Sequence, residues 1–180
     1  MGKPAYFLRI GGCDIGCSWC DTKISWNPSI HPVLPVDEVV CNIISSGASA
    51  TVVTGGEPLM YDLDYLCSRL KLHGIETFIE TSGAYPLSGT WDWICLSPKI
   101  QQPPLAEIYD AANELKVIIA KPEDIDWAVK NAKLVNESCR LYLQPEWSVF
   151  ISIMPVIVDF VKHETKWSVS IQSHKFMHIP

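Results

Sequence analysis

Apolar residues follow two rhythms that take turns along this chain. Short β-rich runs predict strands over 6–10, 51–54, 76–80, 93–97, 115–120, 140–144 and 168–171. Between them, apolar positions three and four apart predict helices over 36–46, 63–73, 122–135 and 148–164. Asp37, Asp62 and Glu123 stand near helix starts, where the positive end of the helix dipole favours acid, and Gly47 and Gly74 stand where helices stop. Several strands read as continuous apolar runs, the pattern of parallel strands covered on both faces. The most apolar run, 149–158, contains Ser152 and Pro155 and is shorter than the ~20 residues of a membrane span, so it reads as a buried helix. No internal repeat or low-complexity segment breaks the βαβα order, which predicts one α/β domain over residues 1–180.

A parallel sheet gathers its ligand-binding loops at the carboxyl ends of its strands. Reading just past each predicted strand gives GGCDIGCSWCDT, TGGEP, ETSG, SPK, QPEW and QSHK. Polar and glycine-rich chemistry thus collects on one rim. KPED, after Ala120, lies on the same rim but has the composition of an ordinary helix start.

Composition narrows the classes. A chain of 180 residues and 20.1 kDa suits one core and is too short for a complete eight-unit barrel of ~250 residues. Lys plus Arg number 14 and Asp plus Glu 20, a net charge of −6 that argues against binding a nucleic-acid backbone. A hydrophobic share of 48% argues against disorder. The start, MGKPAYFLRI, lacks signal-peptide form, and seven cysteines are an odd number, so the expectation is a cytoplasmic protein with reduced or metal-bound thiols.

Cys13, Cys17 and Cys20 form C-x3-C-x2-C directly after the first strand, beside Gly11, Gly12 and Gly16. Three sulfurs so close in sequence can converge on one centre. Structural zinc wants four ligands, and Cys41, Cys67, Cys95 and Cys139 stand alone, two on predicted helices and two on strands, as small buried hydrophobes. A zinc knuckle recruiting Cys41, Cys67 or a histidine is the competing reading; a 4Fe-4S cluster on three cysteines leaves one iron open to a small molecule.

With this loop the sequence resembles the radical S-adenosylmethionine (SAM) superfamily. CSWCDTKISW, TGGEPL, ETSG, DWICLSPK, ELKV, LQPE and QSHKFMHIP, in this order, resemble the 7-carboxy-7-deazaguanine synthase family over nearly the whole chain. The resemblance implies a partial (βα)6-type barrel with parallel strands, open at one side, with a cluster loop at 11–25 and a substrate-side tail at 172–180. It implies a 4Fe-4S cluster on Cys13, Cys17 and Cys20, and SAM along Trp19, Cys20 and Asp21, with Gly56 at its amino group and Glu80 at its ribose. Ser97, Pro98 and Lys99 on one side and Gln144, Pro145, Glu146 and Trp147 on the other would close around SAM; Glu146 departs from the apolar residue expected there. Thr22 would ligate Mg²⁺, and Arg9, Thr54, His174 and the terminal carboxylate of Pro180 would face the substrate. Lys116, inside an apolar strand, is a weaker candidate, since an inward lysine is costly unless paired. Ser82 competes with this reading as a helix cap, and Trp19 as simple loop packing.

The implied reaction converts 6-carboxy-5,6,7,8-tetrahydropterin to 7-carboxy-7-deazaguanine with loss of ammonia, initiated by a deoxyadenosyl radical, in queuosine and 7-deazapurine biosynthesis. Homodimerisation and a flavodoxin-type electron donor are implied too. The family also carries an extra first strand and a Q-G-E-G-like loop before its cysteine loop, and this sequence contains neither. Two alternatives stay open: a small activating enzyme that abstracts hydrogen from a protein glycine, and an inactive metal-binding relative.

Overall fold

The computed structural model describes residues 4–178. Seven strands, β1 (Tyr6–Ile10), β2 (Ala50–Gly55), β3 (Glu76–Thr81), β4 (Trp93–Leu96), β5 (Glu114–Ile119), β6 (Arg140–Pro145) and β7 (Trp167–Val169), form one parallel sheet in sequential order. The helices are α1 (Val36–Ser45), α2 (Asp64–Leu72), α3 (Ala106–Ala111), α4 (Asp124–Ala132), α5 (Phe150–His163) and α6 (Ser173–Met177). Parallel neighbours joined by right-handed crossovers in unbroken order stack their helices on one side of the sheet. The result is an open, partial barrel.

The core lies between sheet and helices. Val53, Ile79, Leu96, Leu115, Ile119 and Leu143 meet Ile43, Leu70, Ile108 and Ile157 there, each contributing roughly 1.5–3 kcal/mol by leaving water. Burial alternates along the strands: in β5, Leu115, Val117 and Ile119 are buried while Glu114, Lys116 and Ile118 are not. The expectation of strands covered on both faces is therefore corrected. Their second face is the concave interior of the partial barrel, where Arg9 pairs in register with Thr54, Glu80 with Cys95, and Cys95 with Glu114.

Helix punctuation follows the sequence. Gly47 and Gly74, both at positive φ, return their N–H groups to Ile44 and Lys71 and end α1 and α2. Asp62 accepts the Asp64 N–H at the start of α2. α5 differs from the buried helix expected: Ile153 and Ile157 are buried, but Ile151 is 88% exposed. Hydrophobicity alone could not separate a one-faced helix from a buried one, and exposed Pro155 leaves the Ile151 carbonyl open to water. α3 and α6 were not expected, because one or two turns carry too little periodicity to register. Cys41 is exposed on α1, and Cys139, though buried, precedes β6, so the picture of four buried packing cysteines on helices and strands holds only for Cys67 and Cys95. Among the described residues, no helix is long and apolar enough to cross a membrane.

Candidate active site

The cysteine loop leaves the carboxyl end of β1 and is anchored before any ligand is considered. Gly12 N–H donates to Ser25 O at 2.7 Å and Cys13 N–H to Trp26 O at 3.2 Å. From the end of β2, Gly56 N–H donates to Ile10 O and Glu57 N–H to Gly12 O, at 2.9 and 2.8 Å. The Tyr61 hydroxyl donates to Gly11 O at 2.8 Å, and the Tyr85 hydroxyl to the Asp14 carboxylate. Gly56 is required by space: a Cβ there would stand 2.1 Å from Gly12 O and 2.8 Å from Cys13 Cβ. Gly12 is required by its φ of 115°.

Cys13, Cys17 and Cys20 line one wall of a cavity of about 200 Å³. Burial pushes the Cys13 and Cys17 thiols up, and Lys99 opposes this at Cys17. Among the described residues, no fourth thiol and no histidine lines the cavity. Among the described residues, no three His, Cys, Asp or Glu groups converge closely enough to hold one metal ion. Three free thiols on the rim of a cavity fit a group broader than a single ion. Among the described residues, the zinc knuckle finds no fourth thiol or histidine at the three cysteines, since Cys67 packs under Gly89 and Cys41 faces solvent.

The opposite walls come from the other strand ends. Lys99 Nζ donates to the Ser97 carbonyl and hydroxyl and lies 5.7 Å from the Trp19 ring centroid. Burial draws its pKa down. Lys116 Nζ donates to Glu80, an ion pair that crosses β4 on the concave face. Gln144 Oε1 accepts the Ser170 hydroxyl at 3.1 Å. Glu146 is buried and accepts both the N–H and the hydroxyl of Ser148, so its departure from an apolar residue is satisfied locally. Ser82 caps no helix; its hydroxyl accepts the Ala84 N–H, while its own N–H donates to Glu57 at 2.7 Å.

Of the expected residues, Cys13, Cys17, Trp19, Cys20, Asp21, Gly56, Glu80, Ser97, Lys99, Gln144, Pro145, Glu146 and Trp147 line this cavity. Pro98 lines a recess of about 40 Å³ next to it, with Trp19 and Lys99. Thr22 lies at its margin, its N–H 3.4 Å from Cys20 Sγ and its hydroxyl donating to Asp21 at 3.1 Å. Arg9, Thr54 and His174 are not on the cavity wall: the first two sit side by side on the concave face, and His174 is exposed on α6. Pro180 lies outside the described residues.

Sequence reasoning passed over Glu57, which is 1% exposed. Its carboxylate accepts the Thr81 hydroxyl, the Leu59 N–H and the Ser82 N–H, at 2.6, 3.1 and 2.7 Å, and so fastens the end of β2 to that of β3. Its signal was the conspicuous acid in TGGEP. Lys116 had the stronger signal, a lone cation in an apolar strand. Gln172 and Lys175 were inside QSHK, yet neither was singled out. Both donate to Asp21 Oδ2 at 2.7 Å. Burial opposes ionisation of Asp21, but these bonds outweigh it and hold its carboxyl at about 2.

Comparison with known proteins agrees with this geometry. The family model for the radical SAM superfamily matches residues 8–140. A protein from Flavobacterium psychrophilum called 7-carboxy-7-deazaguanine synthase is 51% identical over 179 residues, 99% of this chain and 85% of that protein. Proteins of the same name from Synechocystis and Escherichia coli are 46% and 30% identical, covering 98% and 99% of this chain and 84% and 91% of theirs. The crystal structure of QueE from Escherichia coli superposes with a TM-score of 0.82 at 29% identity, over 95% of this chain and 86% of that one.

Proposed function

The chain belongs to the 7-carboxy-7-deazaguanine synthase family of the radical SAM superfamily, an enzyme family acting in 7-deazapurine biosynthesis, and from that premise we propose how its own residues serve the reaction. It is a radical SAM lyase that uses a 4Fe-4S cluster and SAM. The observation that carries the site assignment is the cavity in which three thiols without a fourth face Glu80 and Lys99. When bound, the cluster supplies the electron and SAM the hydrogen-abstracting group; the protein supplies binding, orientation and exclusion of water.

Cys13, Cys17 and Cys20 hold the cluster, and the bonds from Gly56 and Glu57 fix their loop beforehand. Trp19 offers its ring to the adenine, Glu80 accepts from the ribose hydroxyls, and Gly56 leaves room at the amino group. Lys99, kept near Ser97 and Trp19, gives the SAM carboxylate a cation. Asp21, Ser97, Pro98, Gln144, Pro145, Glu146 and Trp147 complete the enclosure. The substrate is 6-carboxy-5,6,7,8-tetrahydropterin, lying over the concave face where Arg9 and Thr54 adjoin, with His174 and Pro180 supplied by the tail. Thr22 would contribute a hard oxygen to Mg²⁺, a cation that would help orient the substrate carboxylate. Ring contraction with loss of ammonia gives 7-carboxy-7-deazaguanine.

We extend the same reading to a homodimer, a flavodoxin-type donor and a cytoplasmic location. Exposed Ile24, Ile30, Val33 and Leu34 give a second copy apolar surface to cover, and free thiols suit a reducing compartment. Anaerobic reconstitution with iron, sulfide, SAM, reductant and the carboxypterin tests the assignment. The expected products are deoxyadenosine and the deazaguanine together. Deoxyadenosine alone overturns the substrate, and neither product overturns the enzymatic reading in favour of an inactive relative. The glycine-activating alternative finds no support among the relatives.

A further inference from the structure

Asp21 stands between the third cysteine and Thr22, and its two oxygens have separate partners. Oδ1 accepts the Thr22 hydroxyl at 3.1 Å. Oδ2 accepts Gln172 Nε2 and Lys175 Nζ, each at 2.7 Å, from residues 151 and 154 positions away in sequence. Lys175 is itself fixed: its side chain is 18% exposed and its ammonium lies 4.9 Å from the Trp147 ring centroid. Its neighbour Phe176 packs edge-on against Trp147 and Phe150, centroids 5.4 and 5.6 Å apart. The start of the tail is thus seated on the site wall and holds the cluster loop by one carboxylate.

The chemistry of the hydroxyl gives this arrangement a consequence. Thr22 has one proton to donate, and donating it to Asp21 leaves the lone pairs of Oγ1 directed elsewhere, as a neutral ligand to a hard cation needs. A carboxylate is the stronger ligand for such a cation, so an unrestrained Asp21 would take Thr22's place. Here Thr22, Gln172 and Lys175 together occupy both of its oxygens. We propose that Gln172 and Lys175 are positioning residues that keep Asp21 out of the cation's coordination sphere and make Thr22, not Asp21, the protein ligand. The proposal rests on the assignment of Thr22 to Mg²⁺ made above. It makes cation binding depend on substrate, because the site offers one neutral oxygen until the substrate carboxylate arrives.

Mn²⁺ binding to the reconstituted protein with SAM, read from loss of the free-ion electron paramagnetic resonance signal, tests it without turnover. Wild type is expected to bind Mn²⁺ weakly alone and tightly with the carboxypterin. Lys175→Met removes the only cationic partner among these three and leaves Asp21 Oδ2 the neutral Gln172 alone, so substrate-free Mn²⁺ affinity should rise about tenfold. Lys175→Arg should restore wild-type behaviour, and adding Asp21→Asn to Lys175→Met should abolish the gain. Unchanged substrate-free affinity in Lys175→Met, with iron content and circular dichroism intact, overturns the proposal, as does a gain that survives Asp21→Asn. Should Lys175→Met not fold, Gln172→Leu is held to the same criterion. Thr22→Val separates the two readings: if it leaves substrate-dependent Mn²⁺ binding intact, the Thr22 assignment itself fails.

Discussion

Lys116→Met would strand the Glu80 carboxylate on the floor of the cavity. The pair spans β4, with Cys95 between its partners, and Glu114 sits in register beside Cys95, accepting from Trp93 Nε1 at 3.2 Å. Burial works against the Lys116 charge, but the surrounding negative groups, with the Glu80 hydrogen bond among them, outweigh it and raise its pKa above the usual 10.5. Breaking a fully buried pair costs ~3–5 kcal/mol and an exposed one ~0.2–1. With Lys116 15% and Glu80 36% exposed, the expected loss is about 2 kcal/mol, or about 4–8 °C in Tm for a chain of this size. Because the folded pKa of Lys116 is raised, the stability linked to its charge is in place at neutral pH, and it is lost as pH rises above 10.5 through the folded pKa. Urea unfolding of cluster-free protein under reductant measures the loss, and Glu80→Gln completes a double-mutant cycle with an expected coupling of about 1–2 kcal/mol. A loss under about 0.5 kcal/mol, or additive single effects, would refute the view that this pair holds Glu80 in place.

Three further outcomes follow from particular contacts. Gly56→Ala pushes a methyl into Gly12 and Cys13, and should cost roughly 1–3 kcal/mol and lower iron loading on reconstitution; full loading would deny that β2 shapes the cysteine loop. Trp127 Nε1 is buried without a partner among the described residues, so Trp127→Phe should cost no more than about 1 kcal/mol in thermal unfolding, the lost contacts being offset by removal of an unmet donor. Burial opposes ionisation of Asp92, but the Lys71 hydrogen bond and the Thr77 N–H outweigh it and lower its pKa from 3.8. Its stabilisation is therefore present above pH 3.8 and vanishes as pH falls through the folded pKa, so acid unfolding curves of wild type and Asp92→Asn should differ at neutral pH and converge in acid.

Much of the site was legible because its residues sit at fixed offsets from strand ends. Thirteen of the residues expected from sequence line one cavity, since every strand points its carboxyl end to the same rim. Others were not legible for reasons of geometry. Arg9 and Thr54 share the rim's sequence context, yet they stand side by side on β1 and β2 outside the cavity wall, whereas Glu80, Gln144 and Pro145, also strand residues, line it; only the curvature of the sheet separates the two sets. Cys41 shares its residue type with Cys67; only the way α1 and α2 face the sheet leaves the first exposed and the second buried.

The sequence by itself determined the seven strands and the four longer helices, their order and hence the parallel winding, and the three-thiol loop, because hydrophobic periodicity and short covalent spacing are local properties of a chain. Tertiary structure alone decided which charges meet. Thr81 reaches Glu57 across 24 residues, Lys116 reaches Glu80 across 36, and Lys175 reaches Asp21 across 154. Those meetings depend on strand register and on the curvature that brings the tail after β7 back beside the cysteine loop that follows β1, and no local pattern encodes a distance between segments so far apart.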